Sequence, residues 1–453
     1  MKFETNTLTL LTEALKELET GFSELPDVND NVDVEKVRSV LLEAADRIKD
    51  NFPYFHPYYA GQMLKPPHPI ARLAYMLSLW INPNNHALDG GKASSSMEKE
   101  AVAEIASMFG WKKYLGHLCG GGTIANLEAL WIASKLKPGM KIVASEQAHY
   151  THKRISEVLN VPFQSVPVDS YARMDINTLK QILEKGNVGT VVATIGTTGT
   201  GSVDPLKEIL SLQKEYDFRL HADAAYGGYF ILINNLNADT QETYGNLSKV
   251  DSIVIDPHKH GLQPYGCGCI LFKDPCVGKF YKHDSPYTYF SSSDLHLGEI
   301  SLECSRPGAS AVAIWATQKL LPLIPGGEFA ENLSKSREAA LILYEKLFND
   351  SRFLTILPPE LDIVTWAPKS NKTSIVSELT EKYFSLAASE NLHLATFKYP
   401  TRLIKSFWKD IDIDTDYVTC LRSCLMKPEH LDWIEKLWQL IDKIAGKINL
   451  KRE

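Results

Sequence analysis

Long apolar runs are missing from this sequence. The longest, from Ala71 to Ile81, falls far short of the ~20 residues that a membrane-spanning helix needs, so no membrane partner is expected. A basic block is missing too. Lysine and arginine number 48 against 55 acidic residues, a formal net charge of −7. That balance speaks against nucleic acid or an anionic membrane surface as the main partner. Cysteine is sparse: the seven are odd in number and scattered, with Cys267 and Cys269 forming only a C-x-C and Cys420 and Cys424 isolated. No zinc-ribbon spacing is present, no metal is expected, and free thiols in a reducing cytosol are. The opening MKFETNTLTLLTEALKELET reads as an acidic amphipathic helix and not as a signal peptide, which fits a cytoplasmic protein. Repeats and low-complexity tracts are absent.

What is there is long and patterned. A chain of 453 residues exceeds one simple core, so two or three lobes are expected. Residues 1 to about 50 carry helical periodicity, with Leu8, Leu11, Leu15 and Leu18, then Val34, Val37, Val40, Leu41 and Ala44. The Pro- and aromatic-rich NFPYFHPYYAGQMLKPPHP that follows is irregular. Helices are predicted over Leu73–Trp80 and Met97–Phe109. From about residue 110, strands alternate with helices. The strands are Lys141–Ser145, Gln164–Val168, Thr190–Ile195, Arg219–Ala222, Ser252–Ile255 and Cys267–Phe272. Helices such as Ile124–Lys135, Ile176–Glu184 and Asp204–Tyr216 lie between them. This alternation predicts an α/β fold with a mostly parallel central sheet flanked by helices. The expected division is an N-terminal helical arm (1–85), a large α/β domain (86–325) and a smaller C-terminal α+β domain (326–453).

In such sheets ligands gather beyond the carboxyl ends of the strands. CGGGTIANLEAL sets three glycines and Thr123 before a helix, either a plain turn or a phosphate seat made of bare N–H groups and the helix dipole. His149 follows one strand in SEQAHY; Thr197 and Thr198 follow another in ATIGTTGTGSVDP. Most histidines and loop threonines in such places make only local bonds. Asp223, in RLHADAAYGGYF, is more pointed. A carboxylate at an apolar strand end needs a cation or hydrogen bonds, and Ala224 and Ala225 leave room for something flat. Lys259, in SIVIDPHKHGLQPYG, ends its own strand. A lysine is ordinarily a solvated surface charge; beside a buried strand end its amine becomes a nucleophile. An amine, a carboxylate, a flat slot, a histidine face and a phosphate cradle together fit pyridoxal phosphate.

The ordered set HPYYAGQM, NPNNHALDGG, GGGTIANLEALWIA, SEQAHY, ATIGTTGTGSVDP, HADAAYGGYF, DPHKHG and SRPGA resembles the pyridoxal-phosphate-dependent group II amino-acid decarboxylases, nearest their tyrosine-decarboxylase-like branch. The likeness spans roughly residues 50 to 320. It implies a fold-type-I homodimer with the active site at the subunit interface. It implies that Lys259 carries the cofactor as a Schiff base, that Asp223 keeps the pyridine nitrogen protonated, and that His149 and Ala225 cover the two ring faces. Gly121, Gly122, Thr123 and His258 would hold the phosphate, with Thr198 near the ring oxygen or Asp223. A tyrosine on a mobile loop, often from the partner subunit, is the usual candidate proton donor in this family; HDSPYTYFSS offers Tyr287 and Tyr289, with Tyr287 preferred, and the alternative is that both pack at the dimer interface.

Three departures stand out. Cys119 and Gly120 occupy positions where hydroxyl residues are common. His260 follows the lysine where an apolar or aromatic residue is usual, placing a titratable group close to the Schiff base. SRPGA resembles the wording of carbon–carbon lyases acting on phosphorylated sphingoid bases, and its Arg306 would either bind a carboxylate or phosphate or be structural. For the substrate, Tyr54, Phe55, Tyr58 and Tyr59 either wall a pocket for a tyrosine-like side chain or pack the arm against the large domain, and Gln62 would meet the substrate's polar end. The leading expectation is decarboxylation of an aromatic L-amino acid to an amine and carbon dioxide. The alternatives are a lyase of the sphingoid-phosphate type, an aldehyde-forming relative, and an inactive binding protein on the same fold.

Overall fold

The computed structural model describes residues 7–28, 32–86, 88–282 and 300–450. Seven strands, β1 (Leu115–Cys119), β2 (Lys141–Ser145), β3 (Phe163–Val166), β4 (Val188–Thr194), β5 (Arg219–Asp223), β6 (Ser252–Ile255) and β7 (Gly268–Phe272), form one sheet in the order β1-β7-β6-β5-β4-β2-β3. Strands β2 to β6 pair in parallel. Only β7 runs against its neighbours, so β1 points the same way as β6. Every residue of β4, β6 and β7 is buried, as a sheet covered by helices on both faces requires. The crossover helices start on ordinary signals. Asp175, for instance, caps Ile176–Glu184 by accepting the Thr178 N–H.

A second sheet is antiparallel, in the order β10-β11-β9-β8, from β8 (Phe353–Thr355), β9 (Ile363–Pro368), β10 (Ala395–Pro400) and β11 (Tyr417–Cys424). Helices Glu328–Phe348, Thr373–Ser389 and Glu429–Lys447 accompany it. Its centre is aromatic: Trp366 and Tyr383 are fully buried, their rings edge to face with centroids 5.2 Å apart.

The alternation expected from residue 110 onward is the one observed. β1 was not foreseen, because Gly116 and His117 interrupt its apolar pattern; the buried His117 is satisfied by Glu128 at 2.9 Å. The helix expected over Leu73–Trp80 starts earlier, at Pro69, with the His68 ring accepting the Ile70 N–H and proline in the first turn. Helices Thr7–Thr20 and Val34–Ile48 form the N-terminal arm. The second buries none of its residues, and Val34, Val37, Val40, Leu41, Leu42 and Ile48 are each 52–66% exposed. Among the described residues no helix is long and apolar enough to cross a membrane.

Candidate active site

Strands β1, β2, β4, β5 and β6 all end at one edge of the sheet, and the residues that follow them line a cavity of about 300 Å³. Lys259, Asp223 and His149 line it together, joined by Ala225 and Thr198. Gly121, Gly122, Thr123 and His258 line it as well. The sheet thus gathers onto one cavity residues that the sequence scatters over five segments.

The glycine end is built for close approach. Gly121, at φ +137°, precedes helix Gly122–Leu136, in a conformation that side chains rarely adopt. A Cβ on Gly122 would lie 2.6 Å from the Asp256 carboxylate. The bare N–H groups of the first helical turn and the dipole behind them suit an anion. Nδ1 of His258 donates to the Cys267 carbonyl at 2.8 Å, which fixes the ring beside the glycines. Gly120, expected nearby, has its N–H donating to Glu303 at 2.9 Å, while Cys119 is buried in β1.

The acid end is Asp223, the last residue of β5. Its Oδ2 lies 2.8 Å from Nε2 of the fully buried His152, and its Oδ1 accepts the Ala225 N–H at 3.2 Å. Burial alone would raise this carboxyl; the His152 hydrogen bond and charge, with Lys259, overcome it and hold Asp223 well below the usual carboxylate range. His152 escaped the sequence reading. Its signal was only a second histidine three places after His149, on a helix that starts at Thr151.

The lysine, half-buried, has a neighbour that was also missed. Lys259 Nζ lies 3.1 Å from Oδ2 of Asp256, three residues earlier in the same loop. His149 is half-buried, with Nδ1 2.8 Å from the Thr151 hydroxyl. Burial lowers its pKa, so the ring is mostly neutral near pH 7. Thr197 makes the local bonds that loop threonines usually make, to Thr200 at 2.9 Å and to the Ser202 N–H.

A third unforeseen residue comes from the small sheet. Arg422 on β11 is buried; it donates to the Thr198 carbonyl at 2.5 Å and to the Gln62 side chain at 2.8 Å, and among the described residues its Nε has no partner. Its signal was a lone charge in the apolar stretch YVTCLRSCLM. Gln62 does not line the cavity and is linked to Thr198 on its wall through Arg422.

Several expectations need correction. Tyr58 is not on the cavity: its ring packs edge to face on Trp433 at 5.3 Å, and its carbonyl accepts the His393 N–H. The aromatic run thus seals the arm against the small lobe, not the large one. Arg306 is not on the cavity either. Its guanidinium pairs with the buried Glu98 at 2.7 Å and donates to the Leu118 carbonyl, bracing the end of β1. His260 sits one residue from Lys259, yet its ring turns away, edge to face with Tyr226 and Phe230 at 4.8 and 5.0 Å. Burial drives its pKa well below the ordinary histidine value, so it does not titrate near neutrality. Tyr287 and Tyr289 lie outside the described residues.

A glycine cradle with no room for side chains, an acid held ionised and an amine on one cavity are the donor set that pyridoxal phosphate needs. Fold and cavity together define a pyridoxal-phosphate enzyme of fold type I. The family model for the pyridoxal-dependent decarboxylase conserved domain matches residues 126–369, and the chain belongs to this family, the group II amino-acid decarboxylases. Its chemistry is the removal of the α-carboxylate from an amino acid with pyridoxal 5'-phosphate as cofactor. The chain is 31% identical to a probable L-tyrosine/L-aspartate decarboxylase of Methanococcus maripaludis, over 72% of this chain and 85% of that one. It is 27% identical to an L-tyrosine decarboxylase of Enterococcus faecium, over 76% and 75%. The fold matches Oryza sativa TDC, solved with PLP and tryptamine, at a TM-score of 0.78 over 100% of both chains and 15% identity.

Proposed function

We propose that the substrate is an aromatic L-amino acid with L-tyrosine favoured, and that Lys259, Asp223, His149 and Arg422 carry out its decarboxylation. The reading rests above all on Lys259 and an ionised Asp223 facing one cavity beside the glycine cradle. The names of the relatives support the substrate class. Decarboxylation is favoured over the lyase alternative by the decarboxylase family match and the names of the relatives.

When bound, the cofactor supplies an electron sink for the pair released as the bond from Cα to the carboxylate breaks. The chain supplies the rest. Lys259 Nζ would tether the cofactor and, as a free amine facing the cavity, would carry protons there. Asp223 holds a proton on the ring nitrogen by staying anionic, an electrostatic contribution that counts most as charge develops. His152 and the Ala225 N–H hold that carboxylate in place. The neutral His149 and Ala225 would hold the cofactor's ring between them, Gly121, Gly122, Thr123 and His258 would hold its phosphate, and Thr198 would support that seat. Arg422, which bonds the Thr198 carbonyl, would orient the substrate carboxylate.

The direct test is to incubate the cofactor-loaded protein with tyrosine, tryptophan, phenylalanine, aspartate and glutamate, and to measure carbon dioxide and amine. Equal amounts of both from an aromatic substrate are expected. Aldehyde with ammonia, or turnover of acidic substrates alone, would overturn the reading. Arg422→Met should raise KM about 10- to 100-fold with a smaller change in kcat, the loss of one charge-assisted hydrogen bond of ~1.5–3 kcal/mol. An unchanged KM would remove Arg422 from substrate binding.

The same reading makes the chain a homodimer in the cytoplasm, divided as 1–85, 86–325 and 326–453. The apolar stripe that helix Val34–Ile48 leaves bare supports self-association. The two distinct sheets, one of seven strands before residue 326 and one of four after it, support the division. Sedimentation of the wild type as a monomer would refute the dimer.

A further inference from the structure

A second cavity, of about 490 Å³, lies on the other side of the Lys259 loop, and it shares no lining residue with the first. Its lining carries four cations, Lys65, Arg72, Lys335 and Lys427, against two carboxylates, Glu429 and Asp432. The two carboxylates and two of the cations, Arg72 and Lys335, are exposed; the deep groups are Lys427, 3% exposed, and the half-buried Lys65.

The deep lysines donate to neutral carbonyl oxygens, and Lys427 also stands over the Tyr59 ring, 5.4 Å from its centroid. Lys427 Nζ donates to the Tyr59 carbonyl at 2.7 Å and Lys65 Nζ to the Met426 carbonyl at 3.3 Å. Neither has a carboxylate within ion-pair distance among the described residues. Burial lowers Lys427 to about 7 and Lys65 to about 8, outweighing the opposite pull of Glu429 on both and of Asp362 on Lys65; a bound anion would restore the charge of both amines.

His260 reaches the same cavity from beneath, 1% exposed. Among the described residues its Nδ1 has no hydrogen-bond partner, and its Nε2 lies 3.3 Å from Asp362 without hydrogen-bond alignment. That carboxylate is engaged with the Tyr226 hydroxyl at 2.6 Å. A buried ring nitrogen without a partner is unfavourable unless something fills the role. Phe55, Leu321 and Phe329 give the walls their apolar part.

We propose that this cavity is a second small-molecule site, taking an organic oxyanion with an apolar body, its charged head between Lys65 and Lys427 within reach of His260 and its hydrocarbon against Phe55, Leu321 and Phe329. A carboxylate and a phosphate ester share this chemistry. The site is separate from the decarboxylation reading and does not depend on its substrate.

The test is calorimetric titration of phenylacetate and, separately, of phenyl phosphate into the cofactor-loaded enzyme, whose glycine cradle is then filled. At least one should bind saturably, and the tighter of the two identifies the head group. Lys65→Met and Lys427→Met should each weaken it at least tenfold, while Arg422→Met leaves it unchanged. Circular-dichroism melts check that the variants are folded. Should Lys427→Met fail to fold, Lys65→Met, which removes only a 3.3 Å carbonyl contact, decides alone. No saturable binding of either compound would overturn the proposal. So would unchanged affinity in Lys65→Met, or affinity lost in Arg422→Met and kept in Lys65→Met, which would put the compound in the first cavity.

Discussion

Asp223→Ala should keep its fold and lose turnover by ~10³-fold or more, the scale of removing a preorganised charge from a site where charge develops. The carboxylate is buried and oriented from both oxygens, by His152 and by the Ala225 N–H. Alanine leaves His152 without its acceptor, at a stability cost of ~1–3 kcal/mol, small against the core of so long a chain. The ring nitrogen then has no anion opposite it, and nothing nearby replaces it. His152→Leu offers a graded comparison. With the histidine gone, burial raises the Asp223 pKa, so the acid limb of the kcat profile should move to higher pH and kcat at neutrality should fall about tenfold. A variant lacking Asp223 that turns over normally would show that the site has been placed wrongly. An acid limb that stays put in His152→Leu would leave that histidine a purely structural role.

Lys259→Ala should be the more severe change, on the order of 10⁴-fold or more in kcat, because it removes both the covalent anchor and the proton carrier. A second readout does not depend on turnover. After borohydride reduction and denaturation, the wild-type chain should retain the cofactor's absorbance and the variant should release it. Retention by the variant would mean that another amine is the anchor. Asp256, which pairs with Lys259 at 3.1 Å, remains in the variant, so folding around the cradle should persist.

The sheet and the outline of its site were legible because parallel strands buried on both faces read as short apolar runs, and because functional groups collect where those runs stop. Lys259 and Asp223 each sit at such a stop. Partners could not be read the same way. His152 meets Asp223 across 71 residues, and Arg422 meets Thr198 across 224. Sequence shows the type of a charged side chain but not which charge folding will set beside it. Arg306 illustrates the limit, since its motif left a ligand and a structural role equally open and its partner, Glu98, lies 208 residues away. His260 illustrates another: adjacency along the chain says nothing of direction, and the loop turns the two neighbouring side chains toward different cavities. The Val34–Ile48 stretch reads as a helix from its periodicity, yet among the described residues nothing covers its apolar face.

The bond from Arg422 to Thr198 also bears on how the molecule is made. It closes a loop of most of half the chain, and such closures come late, after local pairings have formed. A growing polypeptide therefore presents its lysine and acid long before the arginine arrives to brace the Thr198 loop beside them. Truncated products would offer the vitamin-derived group a bowl whose rim is unsupported there. C-terminal deletions that remove Arg422 should therefore weaken the site even where the large sheet is whole.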